Sequence, residues 1–182
     1  SGSSLFMRPS SGNGTFVTSV GGNQAVVGTT SGINQGSAVI DAGSVTDPAL
    51  WASATNPGNL MIRFSVAAGA TSYVLYDNTN PLLPVALTAA TPFVPGQTIP
   101  FSKTMAPAAS YGGQVTVTGQ PADGDTFTIA RSSSQSIFET FQNIATALRS
   151  PVGAPSYSTT EFVNRLASEL TNIDRAFDNL GK

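Results

Sequence analysis

The apolar residues in the last part of the chain recur at the period of an α-helix. Between residues 159 and 180 their spacing alternates between three and four, which places them at the a and d positions of a heptad repeat. We call these residues the heptad seam: Val163, Leu166, Leu170, Ile173, Phe177 and Leu180. The repeat covers about two and a half heptads, more than packing on a sheet requires and less than the three to four that secure a coiled coil.

The heptad seam predicts contact with another helix along its whole length. The alternative is an ordinary amphipathic helix packed on the β-rich part of the chain or on the preceding helix, and the regularity of the pattern favours the assembly helix. Because the pattern still runs at Leu180, we expect the sequence to be part of a longer, assembling protein.

Local signals define the starts of three helices. Asp47-Pro48 combines an N-cap residue with proline at the first helical position, which predicts a small helix near 47–53. A second helix is predicted over 134–149, and Pro151 follows its end. Ser158 and Glu161 form a capping box that starts the heptad helix near residue 159 and predicts a helix over 159–180. The second helix is amphipathic, with an apolar face of Ile137, Phe138, Phe141, Ile144, Ala145 and Leu148.

Before residue 132 the apolar residues alternate with polar ones, as in β-strands. Met61–Val66 and Thr71–Tyr76 predict one hairpin, and Gln114–Thr118 and Thr126–Ala130 predict a second, joined by a loop over residues 119–125. The inward residues of these strands are Ile62, Phe64, Val66, Tyr73, Leu75, Val115, Val117, Phe127 and Ile129. Thr15–Val20 and Gln24–Val27 are candidates for a further pair. Prolines between 81 and 107 are too frequent for central strands, so this part is predicted as an edge or an ordered loop.

These patterns predict an α+β fold. A Gly/Ser/Thr-rich antiparallel β domain is followed by an amphipathic helix and by the start of a heptad-patterned terminal helix. We place the β-rich domain at residues 1–131 and the helical part at 132–182. Charge follows the same division, because residues 1–122 hold six of the eighteen charged residues and the shorter remainder holds twelve.

Composition weighs against several classes of function. The formal net charge is −2 and charged residues make up 10%, so the sequence gives no sign of binding nucleic acid or an anionic membrane surface. The chain has no histidine, the commonest general base near neutral pH, and no cysteine for a disulfide or a thiolate metal site. No apolar run approaches the ~20 residues of a membrane span. An enzyme is therefore the weakest hypothesis, and we assign no catalytic, cofactor or metal site.

Two carboxylate pairs could suggest chemistry, but each has a simpler explanation. Asp123 and Asp125 flank a glycine, yet no acidic cluster completes the six to eight oxygens that Ca²⁺ requires, so turn chemistry is favoured. Asp41 and Asp47 are explained by a turn and by a helix N-cap. A sugar-binding platform of Trp51, Tyr73, Tyr76 and Tyr111 is disfavoured. Tyr73 and Tyr76 are three residues apart, so in one strand their side chains point to opposite faces.

Four stretches of the chain, taken in order, resemble the flagellar hook-associated protein 3 family, the flagellin-like proteins of the hook–filament junction. The first three are FMRPSSGNGTFVT, GSAVIDAGSVTDPALW and QVTVTGQPADGDTFTIARSSSQSIFETFQNIATAL, and the fourth is the Asn-, Asp- and Leu-containing helix that follows. The resemblance is strongest at residues 5–51 and 114–180 and weakest in the proline-rich 77–113.

The resemblance implies a structural, non-enzymatic component of the flagellum that forms the hook–filament junction on which flagellin assembles. It implies an extracellular protein exported without a cleaved signal peptide, with the neighbouring junction protein and flagellin as partners and with no cofactor, nucleic acid or membrane. The β domain would face outward, and the helices would belong to the assembly core, with the heptad seam as the interface. We expect the full-length protein to self-assemble and the 182-residue chain to be a monomer.

Two alternatives to the junction protein stay open from the sequence. The chain could be the variable region of flagellin, which shares the helix–β–helix plan. It could instead be an extracellular β module that binds carbohydrates or surfaces, since its first part is rich in Ser, Thr and Gly.

Overall fold

The computed structural model describes residues 10–29, 32–133, 137–149 and 159–180, with some residues of the last two helices described by their backbone alone. In these ranges the chain forms ten strands and three helices. The strands are β1 (Phe16–Val20), β2 (Val39–Ile40), β3 (Ser44–Val45), β4 (Asn59–Ala67), β5 (Ala70–Asp77), β6 (Val85–Ala86), β7 (Thr91–Pro92), β8 (Thr98–Lys103), β9 (Ala109–Thr118) and β10 (Thr126–Arg131). The helices are α1 (Pro48–Ala52), α2 (Ile137–Arg149) and α3 (Thr159–Leu180).

The strands form two antiparallel sheets. The larger sheet has the order β1-β10-β4-β5-β6, and β7 also pairs with β5. In the smaller sheet β2 and β3 follow each other along one edge of β9, and β8 pairs with the opposite edge. This arrangement, followed by two long helices, confirms the predicted α+β fold.

One apolar core joins the two sheets. Its members come from both, and the largest fully buried side chains among them are Phe16, Phe64, Phe101, Phe127, Leu60, Ile62, Leu75, Ile99, Ile129, Val115 and Val117. Phe16 packs on Trp51 of α1 and on Phe101 of β8, with ring centroids 5.0 Å and 5.4 Å apart. The period-two patterns therefore identify the inward faces of β4, β5, β9 and β10, except that Val66 is exposed near the end of β4.

The first predicted hairpin is confirmed. β4 and β5 pair from Leu60↔Asp77 to Ala67↔Ala70, so the turn is the dipeptide Ala68-Gly69. Both turn residues have positive φ, 50° and 78°, which suits the two-residue turn whose twist matches that of the strands.

The other two predicted strand pairings are wrong. β9 and β10 lie in different sheets, and the loop between them carries the chain from one sheet to the other. β1 pairs with β10 over its whole length, and Gln24–Val27 is not its partner. Alternation identifies strands and their inward faces, but it does not say which strands pair, because that depends on contacts distant in sequence.

The predicted helices are found where the structure describes them. Asp47 caps α1 by accepting the backbone N–H groups of Ala49 and Leu50 at 2.9 Å and 3.1 Å. α3 spans the predicted 159–180, and α2 ends at Arg149 as predicted. The predicted start of α2 at residue 134 lies outside the described residues. The proline-rich part contributes β6, β7 and β8, all edge strands in accordance with the prediction.

A fully buried carboxylate fixes the loop between the sheets. Asp125 is 0% exposed and accepts four hydrogen bonds. Three come from the backbone N–H groups of Gln35, Gly36 and Ala122 at 2.8–2.9 Å, and one from the Asn23 side chain at 3.1 Å. The Asp125 backbone also accepts the N–H of Phe64 in β4 at 2.8 Å. This one residue therefore ties Asn23, Gln35 and Gly36 to the loop and to β4 of the larger sheet.

We predict that Asp125→Asn lowers the free energy of unfolding by about 2–4 kcal/mol, because an amide has one acceptor oxygen and its NH₂ would face two N–H donors in either orientation. The matched control is Asp123→Asn, since the exposed Asp123 accepts the Val66 N–H through one oxygen that an amide retains. Its expected cost is below about 0.5 kcal/mol. Urea unfolding followed by the fluorescence of Trp51, the single tryptophan, measures both. Equal costs for the two variants would contradict the role of Asp125.

Candidate assembly surface

Helix α3 packs on the β domain through a polar face. It contacts β1, β2 and α2. Asn164 is 6% exposed, and its side-chain oxygen accepts the Ile40 N–H at 3.0 Å, while its amide nitrogen donates to the Ala38 carbonyl at 3.2 Å. One turn further on, the Ser168 hydroxyl donates to the Thr18 carbonyl at 3.4 Å. The two α3 side chains that are hydrogen-bonded to these strands are therefore polar.

The apolar face of α3 is left open on one side. Val163 and Leu170, which occupy one heptad position, are 44% and 52% exposed. Leu166 and Ile173, which occupy the other, are half-buried. The side chains of Phe177 and Leu180 lie outside the described part of the structure. The four described residues of the heptad seam thus form an exposed row and a half-buried row.

Helix α2 shows a comparable row. Phe141 and Leu148 are 49% and 61% exposed and lie seven residues apart, while Ile144 and Ala145 are half-buried. The two helices contact each other, and each presents two large apolar side chains one heptad apart to solvent. An apolar row repeated at seven residues is the surface that a further helix would cover.

The alternative of an ordinary core helix packed on the β domain does not fit this geometry. Such a helix turns its apolar stripe toward the sheets. Here the sheets receive Asn164 and Ser168, and the two most exposed seam residues, Val163 and Leu170, face solvent. Among the described seam residues, the row of Val163 and Leu170 is therefore open to solvent, while α3 also contacts α2.

The carboxylates have structural partners. Asp41 accepts the backbone N–H groups of Gly43 and Thr116 at 3.0 Å and 2.9 Å, and Asp47 serves as the cap of α1. Asp123 and Asp125 hold the loop between the sheets. Among the residues that the structure describes, no three potential metal-ligating side chains lie together. These bonds confirm the turn and cap interpretation of Asp41 and Asp47. The hairpin-turn interpretation of Asp123 and Asp125 is wrong, because the loop crosses between the sheets and Asp125 is a buried acceptor.

The four aromatic residues considered for sugar binding, all of them described, do not form an exposed platform. Trp51, Tyr73 and Tyr111 are buried in the core, and Tyr76 is half-buried. Burial raises the pKa of the Tyr73 phenol, and a hydrogen bond with the Thr91 side chain offsets part of this shift. Burial also raises the pKa of Tyr111, and the negative charge of Asp77 adds to it. The sugar-platform hypothesis therefore loses its principal residues.

Sequence reasoning missed Asn164. The signal that could have found it is a second, polar stripe on α3, formed by Thr160, Asn164, Ser168 and Thr171 at spacings of three and four. Such a stripe is typical of a face exposed to solvent, so the sequence alone does not mark it as a contact surface.

In the described ranges, no helix is long and apolar enough to cross a membrane.

The fold is similar to that of solved flagellar junction proteins. No family model and no curated protein matches the chain. Among solved structures, the flagellar junction protein FlgL from Legionella pneumophila superposes with a TM-score of 0.70 at 25% identity, over 99% of this chain and 50% of that one. FlgL from Xanthomonas campestris gives a TM-score of 0.68 at 23% identity, over 98% and 49%. A second structure from Legionella pneumophila, of flagellar hook-associated protein 3, gives 0.67 at 24% identity, over 99% and 49%.

These comparisons confirm the resemblance to the hook-associated protein 3 family that the sequence predicts. The similarity covers nearly all of this chain, including both sheets and the helices that follow. The chain spans about half the length of the solved proteins that it matches.

The raised tyrosine pKa values predict a loss of stability at alkaline pH. Above the ordinary tyrosine pKa of about 10, the unfolded chain loses phenolic protons that the folded chain keeps, so the free energy of unfolding falls as pH rises. Replacing both residues (Tyr73→Phe, Tyr111→Phe) should make this decline shallower. Urea unfolding between about pH 8 and 11 tests it. The comparison at pH 8 controls for packing, because both phenols are protonated there, and an unchanged slope in the double variant would be the contrary result.

Proposed function

We propose that the full-length protein is a structural component of the bacterial flagellum that forms the hook–filament junction on which flagellin assembles. The observation that carries this proposal is the open heptad seam of α3, on a chain whose fold matches that of junction proteins. A helix whose polar face is occupied by the β domain and whose apolar face is open on one side has the geometry of an assembly element.

In this proposal the helical part, residues 132–182, belongs to the assembly core, and the β-rich domain, residues 1–131, faces outward. The interface residues are Val163, Leu166, Leu170, Ile173, Phe177 and Leu180. Complete burial of a Val or Leu side chain contributes about 1.5–3 kcal/mol. Since Val163 and Leu170 are about half exposed, a partner helix would gain roughly half of that from each.

The proposed partners are the neighbouring junction protein on one side and flagellin on the other. The protein acts outside the cell, is exported without a cleaved signal peptide, and has no catalytic role. What supports a non-enzymatic role is the absence of histidine and cysteine from the sequence, together with the structural bonds that occupy Asp41, Asp47, Asp123 and Asp125.

Deletion of the gene in its own organism tests the role. Electron microscopy of the cells is combined with an assay for flagellin in the medium. Bare hooks with shed flagellin support the junction role, because filament subunits are exported with nothing on which to polymerise. Bare hooks without any flagellin would identify the protein as flagellin itself. Attached, intact filaments would remove both and leave an extracellular binding module.

Substitution within the seam tests the interface. We predict that Leu170→Asp, introduced into the full-length gene, prevents assembly of the junction and leaves flagellin in the medium, because it places a charge in an apolar contact. The residue is about half exposed in the isolated chain, so the free energy of unfolding should change by less than about 1 kcal/mol.

The matched control is Leu82→Asp, which places the same charge at an exposed leucine of the β domain. Cells carrying this variant should keep attached filaments. Export of both variants is checked by detecting the protein outside the cell. Normal filaments with exported Leu170→Asp would rule out the assembly role of the seam.

A further inference from the structure

Helix α3 carries two distinct faces that cannot both meet the β domain. The face that lies on it lines a small cleft of about 50 Å³ with Gly12, Thr18, Ile40, Asp41 and Ala42, and its own residues there are Asn164, Ala167, Ser168 and Thr171. At 3.6 residues per turn, this face lies roughly 140° around the helix from the heptad seam. A rotation of that size would exchange the polar face for the apolar one.

The Asn164 side chain acts as a substitute for a neighbouring strand. β2 pairs with β9 along one edge, and its other edge presents the Ile40 N–H and the Ala38 carbonyl. Asn164 accepts from the first and donates to the second, which is the pair of bonds that an adjacent strand would make. Its amide also donates to the Thr160 carbonyl one turn back at 2.9 Å, which fixes the side chain on the helix.

No other residue of the polar face that the structure describes bonds the edge of β2 in this way. Ser168 reaches Thr18 of β1 at 3.4 Å, near the limit of a hydrogen bond. Thr171 directs its hydroxyl to the Ala167 carbonyl within α3, at 3.0 Å. Ala167 has no polar group to offer. The two bonds from this face to the edge of β2 therefore both come from one amide.

We propose that Asn164 is the positioning residue that selects the polar face of α3 for contact with the β domain and thereby keeps the heptad seam open. The selection of the face is a property of the chain itself, and only its purpose, presenting the seam for assembly, rests on the proposed function. Without the amide, the edge of β2 loses its partner, and burial of Val163 and Leu170 against the β domain becomes the favoured alternative.

Thiol labelling of the 182-residue chain tests this proposal directly, because the chain contains no cysteine. Single cysteines are introduced at Ser168→Cys, on the docked face, and at Val163→Cys, on the seam. Each is combined with Asn164→Ala, and the rate of modification by a maleimide is measured. With Asn164 present, the cysteine at 163 should react faster than the cysteine at 168, since Val163 is 44% exposed and Ser168 is half-buried.

In the Asn164→Ala background we expect the ratio of the two rates to shift by roughly tenfold, with position 168 faster and position 163 slower. A rise at both positions would mean that α3 only detaches or unfolds, and would overturn the selection of a face. Unchanged rates would overturn it as well. The matched control is Thr171→Ala. This change also removes a polar group from the docked face, but the bond that is lost lies within the helix, so the labelling rates at positions 163 and 168 should stay unchanged.

Amide exchange supplies a second readout at the bond itself. The Ile40 N–H donates to Asn164, whereas the next amide, Asp41, donates to the Thr116 carbonyl within the sheet at 3.0 Å. Asn164→Ala should speed exchange at Ile40 by roughly tenfold and leave Asp41 nearly unchanged. Equal protection of Ile40 in both proteins would show that the amide does not hold the helix. If Asn164→Ala fails to fold, Asn164→Asp keeps the acceptor for Ile40 and loses the donor to Ala38.

The outcome separates the two proposals. Labelling and exchange report the orientation of α3 in the isolated chain, whether or not the full-length protein assembles. If the ratio shifts but Leu170→Asp still supports filaments, the positioning by Asn164 holds and the assembly role fails. If Leu170→Asp blocks assembly and the ratio does not shift, the assembly role holds and Asn164 is not the positioning residue.

Discussion

Backbone groups at the edges of short strands must be hydrogen-bonded before two sheets can close over an apolar core, and here side chains supply many of those bonds. The Asn34 amide makes two bonds with the backbone of Thr126, one as donor and one as acceptor. Asn56 donates to Trp51 and Tyr111 and accepts from Gly58. The Asp125 carboxylate accepts hydrogen bonds from four donors. These side-chain bonds satisfy backbone groups of α1, β9, β10 and the connecting loops.

The same constraint reaches the helical part through Asn164. Because its amide completes the edge of β2, the contact between the helix and the β domain is one of directed hydrogen bonds and small side chains rather than of apolar packing. Apolar packing is tolerant of rotation, whereas two hydrogen bonds to one backbone edge define an orientation. The orientation of the heptad seam thus follows from the edge chemistry of the β domain.

The sequence reveals those features of the fold that depend on neighbouring residues. It does not reveal those that depend on contacts between residues far apart in the chain. Period-two alternation identifies the inward faces of β4, β5, β9 and β10, and the Asp47-Pro48 signal gives α1, because strand and cap preferences act over a few residues. The pairing of β1 with β10 and the separation of β9 from β10 depend on partners about one hundred residues apart or on a loop held by Asp125. For the site, the seam was readable from its period, but Asn164 was not, since its partners Ala38 and Ile40 are more than 120 residues away.

The relative size of two effects explains how a helix can keep its apolar face open. Val163 and Leu170 are already about half buried, so turning them onto the β domain would gain roughly 1.5–3 kcal/mol in total. The same rotation would leave the Ile40 N–H and the Ala38 carbonyl without partners, at about 1–3 kcal/mol for each buried group, while the Asn164 amide keeps its bond to the Thr160 carbonyl. The hydrogen bonds therefore prevail in the isolated chain, although neither bond alone outweighs the apolar gain. A partner helix on the seam adds apolar burial without breaking them, so the docked orientation and the occupied seam reinforce each other.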